Sequence, residues 1–236
     1  MRLQITVTWV LATPLSIAGA PADNPLVDVP LLRRYSAVYS PTVFLPASTV
    51  KGKLRGEAER LLRTLGFDGK LCRGRKPETM CPAYWWDKGN GPEDDLCVLC
   101  RLFGAPGRPS ALYFSDVTAD NLKSEDAVVR PGVGISRVRG TAREDLLFFT
   151  ETAPAVPEGI RFGQGIIEGE VPDAASAGLL WAAVQQVAAF GNGRSRGRGW
   201  LKTREVKVEV DGAEWSKEKI QQALSQWLAK AGGANG

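Results

Sequence analysis

Apolar and polar residues alternate one by one at the start of the chain, where polar positions separate Leu3, Ile5, Val7 and Trp9. A period of two predicts a β-strand with one buried face, over about residues 3–12. The alternative is a secretory signal peptide, because a base, an apolar stretch and small residues follow one another within residues 1–22. The strict alternation favours the strand, and with it a cytoplasmic protein with reduced thiols.

Three later segments have the spacing of amphipathic helices. In the first, apolar residues recur every three or four positions, with Ser48 or Thr49 as a possible N-cap and Gly66 as the end: Val50, Leu54, Ala58, Leu61 and Leu65. The second, residues 174–190, is apolar over more than half of its circumference, which predicts a helix packed on a sheet. The third covers about residues 216–230.

Between these helices, four further segments have strand character, at about residues 110–117, 144–152, 159–171 and 201–212. The order is strand, helix, two or more strands, helix, strand. This order predicts an α+β fold with a ferredoxin-like (RRM-like) βαββαβ core and insertions. Residues 130–143 indicate an exposed hairpin or loop, and no internal repeat is present.

Charge is segregated along the chain rather than large overall. The net charge is +4 for 236 residues, yet residues 130–143 and 191–204 carry arginine and lysine without any acid, which favours a polyanionic partner. No run of eighteen apolar residues predicts a membrane span. The chain contains no histidine, so any catalysis depends on carboxylates, lysine, thiols or a metal.

The sequence GNGRSRGRGW, residues 191–200, joins the second predicted helix to the last predicted strand. Glycines let the backbone approach a ligand and direct N–H groups at phosphate oxygens, and arginines supply bidentate charge. A mobile, solvated loop is the alternative, but the position between two regular elements favours a nucleic-acid backbone as ligand. The residues predicted to bind it are Gly191, Gly193, Arg194, Ser195, Arg196, Gly197 and Arg198.

A second basic segment, STVKGKLRG, opens the first predicted helix at residues 48–56. Lys51 and Arg55 lie four positions apart and share one side of that helix. Bases near a helix start help its N–H groups to hold phosphate. An ordinary solvated helix face explains this segment equally well when it is considered alone.

Four cysteines, Cys72, Cys81, Cys97 and Cys100, lie within a Gly- and Pro-rich stretch. Cys97 and Cys100 have the spacing of half a tetrahedral zinc site, and without histidine the complete set is four thiolates. The interval between Cys72 and Cys81 is longer than in a typical zinc ribbon. Two disulfides, or cysteines that only pack, are the alternatives to a structural Zn²⁺.

Several segments, taken in order, resemble the RAMP superfamily, and in particular the backbone subunits of type III CRISPR effector complexes. They are ADNPLV (22–27), FLPASTVKGKLRG (44–56), CRLFGAP (100–106), LYFSDV (112–117), VGISRVRGTA (133–142) and the loop at 191–200. The resemblance spans about residues 3–210 without the cysteine insertion and the terminal helix, and it implies a thumb-like hairpin at 118–145. The order of elements predicts a single domain over residues 1–236, with an inserted cysteine-rich lobe at 67–104 and a disordered tail at 231–236.

The resemblance further implies that the chain polymerises along a CRISPR guide RNA beside other type III subunits and binds complementary target RNA, without a membrane. The guide backbone would be held by the glycine-rich loop together with Ser48, Lys51, Lys53 and Arg55. The hairpin, which carries Arg137 and Arg139, would enter the guide–target duplex.

In the type III backbone subunits that the chain resembles, an aspartate in the loop after the first strand carries metal-dependent cleavage of target RNA, and Asp23 occupies the matching position. One carboxylate can hold hydrated Mg²⁺ or Mn²⁺ against a phosphate while the neighbouring 2′-hydroxyl attacks. By composition alone, Asp23 before Asn-Pro is an ordinary turn residue. A non-catalytic guide-binding subunit and a generic zinc-containing RNA-binding domain therefore remain as alternatives.

Overall fold

The computed structural model describes residues 1–20, 24–35, 41–74, 76–86 and 95–232. The helices are α1 (Ala47–Thr64), α2 (Ala83–Trp86), α3 (Val98–Phe103), α4 (Ala174–Gln186) and α5 (Lys217–Gly232). The strands are β1 (Arg2–Leu11), β2 (Arg33–Arg34), β3 (Thr42–Leu45), β4 (Leu112–Phe114), β5 (Val117–Lys123), β6 (Val128–Ile135), β7 (Ala142–Thr152), β8 (Ile160–Glu170), β9 (Leu201–Val210) and β10 (Ala213–Glu214).

One eight-stranded sheet forms the body of the protein, in the order β10-β9-β1-β8-β5-β3-β2, with β4 also paired to β8. The pairs between these strands are antiparallel. Consequently β1 is parallel to β4 and β5, with β8 between them. Helix α1 lies in the chain segment that connects β1 to β4 and β5. In the same way β8 is parallel to β9 with β1 between them, and α4 connects those two strands. The fold is thus mixed α/β with a mostly antiparallel sheet.

The core lies between this sheet and the helix layer. The strand predicted at residues 3–12 is confirmed, and Leu3, Ile5, Val7 and Trp9 of β1 are all fully buried. Helices α1 and α4 contact each other, so both cover the same face of the sheet. The buried positions of α1 include Val50, Leu54, Ala58 and Leu62; Leu65, which was predicted to join them, is half exposed at the helix end.

The two ends of α1 differ in how well the sequence predicted them. The N-cap residue is Pro46, and neither Ser48 nor Thr49 caps the helix. Instead the carboxylate of Asp116, between β4 and β5, accepts a hydrogen bond from the Ala47 N–H at 2.7 Å. At the other end the predicted stop is confirmed, because Gly66 follows the last turn with a φ of +84°.

The second predicted helix is shorter than expected. Helix α4 ends at Gln186, and residues 187–190 form an extended segment in which Ala189 pairs with Trp200. The final helix α5 continues to Gly232. Of the tail predicted at 231–236, the last four residues lie outside the described part of the chain.

Strands β6 and β7 form a separate two-stranded hairpin, which we call the β6–β7 hairpin. It lies further along the chain than the range 118–145 expected from the sequence. Residues Val117–Lys123 belong instead to the main sheet, because β5 buries Val117, Ala119 and Leu122 and pairs with β3 and β8. Apolar side chains remain exposed along the hairpin, among them Val133, Ile135, Val138 and Leu147.

Within the described ranges, no helix combines the length and the apolar character needed to cross a membrane.

Candidate nucleic-acid interface and metal site

The glycine-rich loop, residues 191–200, has a defined conformation. A short 3-10 turn, Arg194–Arg196, is bounded on both sides by left-handed glycines, Gly193 and Gly197. The Arg196 and Arg198 N–H groups both donate to the carbonyl of Gly193. The indole of Trp200 donates to the Arg194 carbonyl at 3.0 Å. These bonds hold Arg194 and Arg196, which Ser195 separates, on a defined and exposed turn.

Two of the glycines are required for packing against the chain itself. A Cβ on Gly191 would lie 2.3 Å from the Ser16 carbonyl oxygen, and one on Gly199 would lie 1.9 Å from that of Phe190. Both residues also have positive φ angles. Among the loop glycines, only Gly197 would have nothing within 4 Å of an added Cβ, so its backbone is open to a ligand, whereas the side chain of Arg198 lies over Gly193. The sequence therefore located the loop correctly, but ligand approach explains fewer of its glycines than expected.

A groove of about 400 Å³ separates the glycine-rich loop from the first turns of α1. Its floor comes from the segment after β1, which is tied to the loop by a 2.7 Å hydrogen bond from the Asn192 N–H to the Ser16 carbonyl. Cationic side chains reach it from both sides. Its lining includes Ala18, Thr49, Lys53, Gly191, Asn192 and Arg194.

The lysine that lines this groove is held in place by acid–base contacts on α1. The Lys53 ammonium lies 2.9 Å from the Glu57 carboxylate, which also binds Arg60. Burial alone would raise the pKa of Glu57, but its hydrogen bonds to Lys53 and Arg60 lower the pKa below the usual range. The negative charge of Glu57 is thereby retained, and it holds the ammonium of Lys53, a residue that lines the groove.

Lys51 and Arg55 lie on the opposite flank of α1 from Thr49 and Lys53. The Lys51 ammonium lies 5.9 Å from the centre of the Phe114 ring, and burial followed by the charge of Arg55 lowers its pKa. The Arg55 guanidinium donates to the Gly104 carbonyl at 2.7 Å and to the Cys100 sulfur at 3.1 Å. The structure thus brings Lys53 to the groove and directs Arg55 to the cysteines. Ser48 is exposed in the first turn of α1.

Arg137 and Arg139 occupy the turn at the tip of the β6–β7 hairpin. The Gly140 N–H donates to the Ser136 carbonyl at 2.8 Å and closes that turn. Both arginines are exposed. The glycine-rich loop meets the hairpin further down, where Arg196 lies over Phe148. The tip arginines therefore belong to a different part of the surface from the groove.

The root of the β6–β7 hairpin contains a buried ion pair that the sequence did not reveal. Glu151 binds Arg33 through two hydrogen bonds of 2.5 and 2.9 Å and accepts a third from the Leu31 N–H. Burial alone would raise the pKa of Glu151. The hydrogen bonds from Arg33 and Leu31 have the larger, opposite effect, so the pKa lies below its usual range. Asn24 also donates to this carboxylate. The segment after residue 23 is therefore fixed to the hairpin root.

The proposed catalytic residue, Asp23, lies outside the described residues. Its sequence neighbourhood contains Asp28, whose carboxylate accepts a 2.7 Å hydrogen bond from the Phe149 N–H. That bond anchors the chain against β7 and occupies one oxygen of Asp28.

The cysteine lobe, residues 67–104, brings Cys72, Cys81, Cys97 and Cys100 together. All four thiols are free and buried, and their sulfurs lie within 4.8 Å of one another. The Cys72 sulfur is 3.5 Å from that of Cys100 and 3.7 Å from that of Cys97. Tetrahedral zinc with sulfur bonds of about 2.3 Å requires sulfurs about 3.8 Å apart. The predicted cluster is confirmed, and its size suits a metal such as zinc.

Surrounding N–H groups are directed at these sulfurs. Cys81 accepts hydrogen bonds from the Cys97 N–H at 3.3 Å and from the Trp85 indole at 3.1 Å. Burial nevertheless raises the pKa of the Cys81 thiol to about 12, so a thiolate at neutral pH requires a cation beside it. Thiol hydrogen bonds from Cys100 and Cys72 lower the pKa of Cys97. The donor set therefore fits a metal that binds thiolates.

Residues 12–202 match the family model of the RAMP superfamily. The match covers well over half of the chain, and the chain belongs to this superfamily. RAMP proteins generally bind CRISPR RNA within multisubunit complexes, and membership indicates a CRISPR-associated RNA-binding subunit; some members are nucleases. A comparison with curated proteins finds no match.

Proposed function

We propose that the chain is a backbone subunit of a type III CRISPR effector complex, which binds guide RNA beside further copies of itself. The observation that carries this proposal is the groove in which Lys53 of α1 faces Arg194 of the glycine-rich loop. Two cations on opposite walls suit a phosphate backbone, and backbone contacts accept any sequence. Recognition of a complementary target RNA would then be delegated to base pairing.

The topology supports a ferredoxin-like core for this function. The interlocked units β1-α1-β5 and β8-α4-β9 have the βαββαβ order of that fold, with both helices on one face. On the open face, β1 and β9 present cross-strand pairs such as Gln4–Glu209 and Thr8–Glu205. Lys207 lies between those two glutamates on β9, but its ammonium is held by the carboxylates of Glu209 and Glu214. The proposed RNA path therefore follows the basic edge at the groove rather than the open face.

Sequencing the RNA that co-purifies with the protein tests the proposed class. Repeat-derived guides are the expected result. RNA of unrelated sequence bound by a monomeric chain would instead support a generic zinc-containing RNA-binding domain.

Replacing Lys53 and Arg194 together by glutamine is expected to weaken single-stranded RNA binding about 30-fold in 0.1 M salt, because two charge-assisted contacts are lost. The logarithmic salt slope should also fall by about 1.4, or about 0.7 for each phosphate contact. Fluorescence polarisation with a labelled oligonucleotide measures both. The double variant Arg2→Gln and Lys207→Gln removes the same charge away from the groove; equal losses in the two double variants would contradict the assignment.

We further propose that Asp23 carries metal-dependent cleavage of the paired target RNA. Its place in the sequence supports this, because Ala18, five residues before it, lines the groove, and Asn24, directly after it, donates to Glu151 at the hairpin root. One aspartate can hold hydrated Mg²⁺ or Mn²⁺ against a phosphate, which supplies the charge stabilisation that cleavage requires.

The four cysteines, in this proposal, hold a structural Zn²⁺ as thiolates. Four thiolates and one Zn²⁺ carry a net charge of −2, so the hydrogen bond from Arg55 to the Cys100 sulfur stabilises the site. Arg55 would then act on the metal site, and the role in RNA binding predicted for it from sequence becomes secondary.

Arg55→Gln is expected to speed the transfer of zinc to a colorimetric chelator about tenfold. Removal of a side chain that hydrogen-bonds a metal ligand weakens metal binding by about tenfold or more. Arg60→Gln, on the same helix, is the matched control, because Arg60 contacts Glu57 and not the cysteines. Equal release rates for Arg55→Gln and the wild-type protein would show that the guanidinium contributes nothing to the site.

A further inference from the structure

The glycine-rich loop and the β6–β7 hairpin meet at an aromatic ring. The Arg196 guanidinium lies 5.8 Å from the centre of the Phe148 ring. The same ring packs on Gly132 of β6, where a Cβ would lie only 2.4 Å from a ring carbon. Gly132 therefore leaves the space that the Phe148 ring occupies on the hairpin, and Arg196 lies over that ring.

Arg130 of β6 lies on this same face of the hairpin. Gly132 pairs with Phe148 and Arg130 pairs with Thr150, and residues two apart on a strand point to the same side. The Arg130 side chain also donates to the Thr152 hydroxyl at 3.3 Å, which holds it near the hairpin root. Arg130 is consequently a neighbour of the loop arginines, although more than sixty residues separate them in sequence.

The third cation of the group is Arg198, which follows the 3-10 turn. Burial lowers its pKa, and the positive charges of Arg130 and Arg196 lower it further. Across the described ranges, no carboxylate forms a salt bridge with any of these three arginines. Like charges at close range are unfavourable unless an anion lies between them. The arrangement is therefore suited to binding an anion.

We propose that Arg130, Arg196 and Arg198 form a phosphodiester subsite that joins the glycine-rich loop to the root of the hairpin. The identity of the ligand as RNA rests on the function proposed above. The new element is that Arg130 and Phe148 join the residues that bind it. Guanidinium groups bind phosphate oxygens in pairs, so three of them can contact one phosphate or two successive ones. The hairpin root thus becomes part of the backbone-binding surface, separate from the Arg137 and Arg139 tip.

Arg130→Gln tests the subsite, because this exposed side chain makes one hydrogen bond to Thr152 and can be replaced without disturbing the core. We expect single-stranded RNA to bind about fivefold more weakly in 0.1 M salt, with a salt slope smaller by about 0.7. Arg2→Gln, at the far end of β1 from the loop, is the charge-matched control and should leave both quantities unchanged. The melting temperature without ligand should differ little among the three proteins, because in Arg130→Gln the lost hydrogen bond to Thr152 is offset by the relief of repulsion with Arg198.

Thermal stabilisation by tripolyphosphate, measured on the same proteins, separates this proposal from the RNA-binding function. If Arg130→Gln loses about half of the stabilisation seen in the wild-type protein, the anion subsite stands even where RNA does not bind. If RNA binds Arg130→Gln as tightly as the wild-type protein, with an unchanged salt slope and unchanged tripolyphosphate stabilisation, the subsite is rejected while the RNA-binding function stands. If neither ligand binds the wild-type protein, both proposals fail.

Discussion

Replacing Cys97 and Cys100 together by serine is expected to remove bound zinc and to make the chain insoluble. Both residues lie in the lobe core beside Leu71, Trp85 and Leu99, all of them buried. The part of the lobe that the structure describes has two short helices and two 3-10 turns, too little apolar surface to fold by itself. Zinc bound by four thiolates contributes about 10 kcal/mol or more to the folding of small domains. Metal analysis of reduced protein should find about one zinc per chain in the wild type.

A strong chelator provides the control for this double substitution. Added to the wild-type protein, it should expose the lobe to limited proteolysis and lower the melting temperature of the whole protein, because the buried residues of the lobe belong to the same hydrophobic core as those of the main sheet. Absence of metal from the reduced wild-type protein, in a preparation that remains folded, would refute the zinc assignment.

Asp23→Ala is expected to reduce target-RNA cleavage by the assembled complex about 100-fold or more, the scale of a lost catalytic group. Guide and target binding should be unchanged, because the groove cations Lys53 and Arg194 remain in place. Cleavage of a labelled complementary RNA with Mg²⁺ measures the effect, and a chelator should abolish cleavage by the wild-type complex.

Asp23→Asn serves as a second variant, because it keeps the size and turn propensity of the side chain and removes only the charge. Asp28→Asn is the matched control: its side chain anchors Phe149, so the expected change is a lower melting temperature with cleavage retained. If the wild-type complex cuts and Asp23→Ala cuts equally well, Asp23 is a turn residue and the chain is a structural subunit.

The elements that the sequence predicted well are those with clear periodicity. Alternation in β1 and the helical stripe of α1 are local signals, and both positioned their elements within a few residues. The β6–β7 hairpin has weaker signals because apolar residues remain exposed along it, so its limits were misplaced. The extended end of α4 was missed because Val187 and Phe190, which follow the helix, are buried like its own apolar residues, so the apolar pattern continues past the last helical turn.

The candidate site shows where sequence reasoning reaches its limit. The cysteine cluster was predictable because four cysteines close together in a sequence have few roles besides metal binding and disulfide formation. The stripe of Val50 and Leu54 already divides α1 into two flanks, but only the sheet order decides that Lys53, not Lys51, faces the glycine-rich loop. The Arg33–Glu151 pair left no local signal, because 118 residues separate its members.

The position of β1 in the sheet has a consequence for biosynthesis. Both of its neighbours, β8 and β9, come from the last third of the chain, and Leu3 pairs with Gly169 and Val210. During translation β1 therefore has no native strand beside it, and its apolar face stays uncovered, until most of the polypeptide has left the ribosome. Contacts so distant in sequence slow folding and leave an unpaired strand open to aggregation meanwhile. The nascent chain should depend on chaperone protection at its first ten residues more than at any later strand.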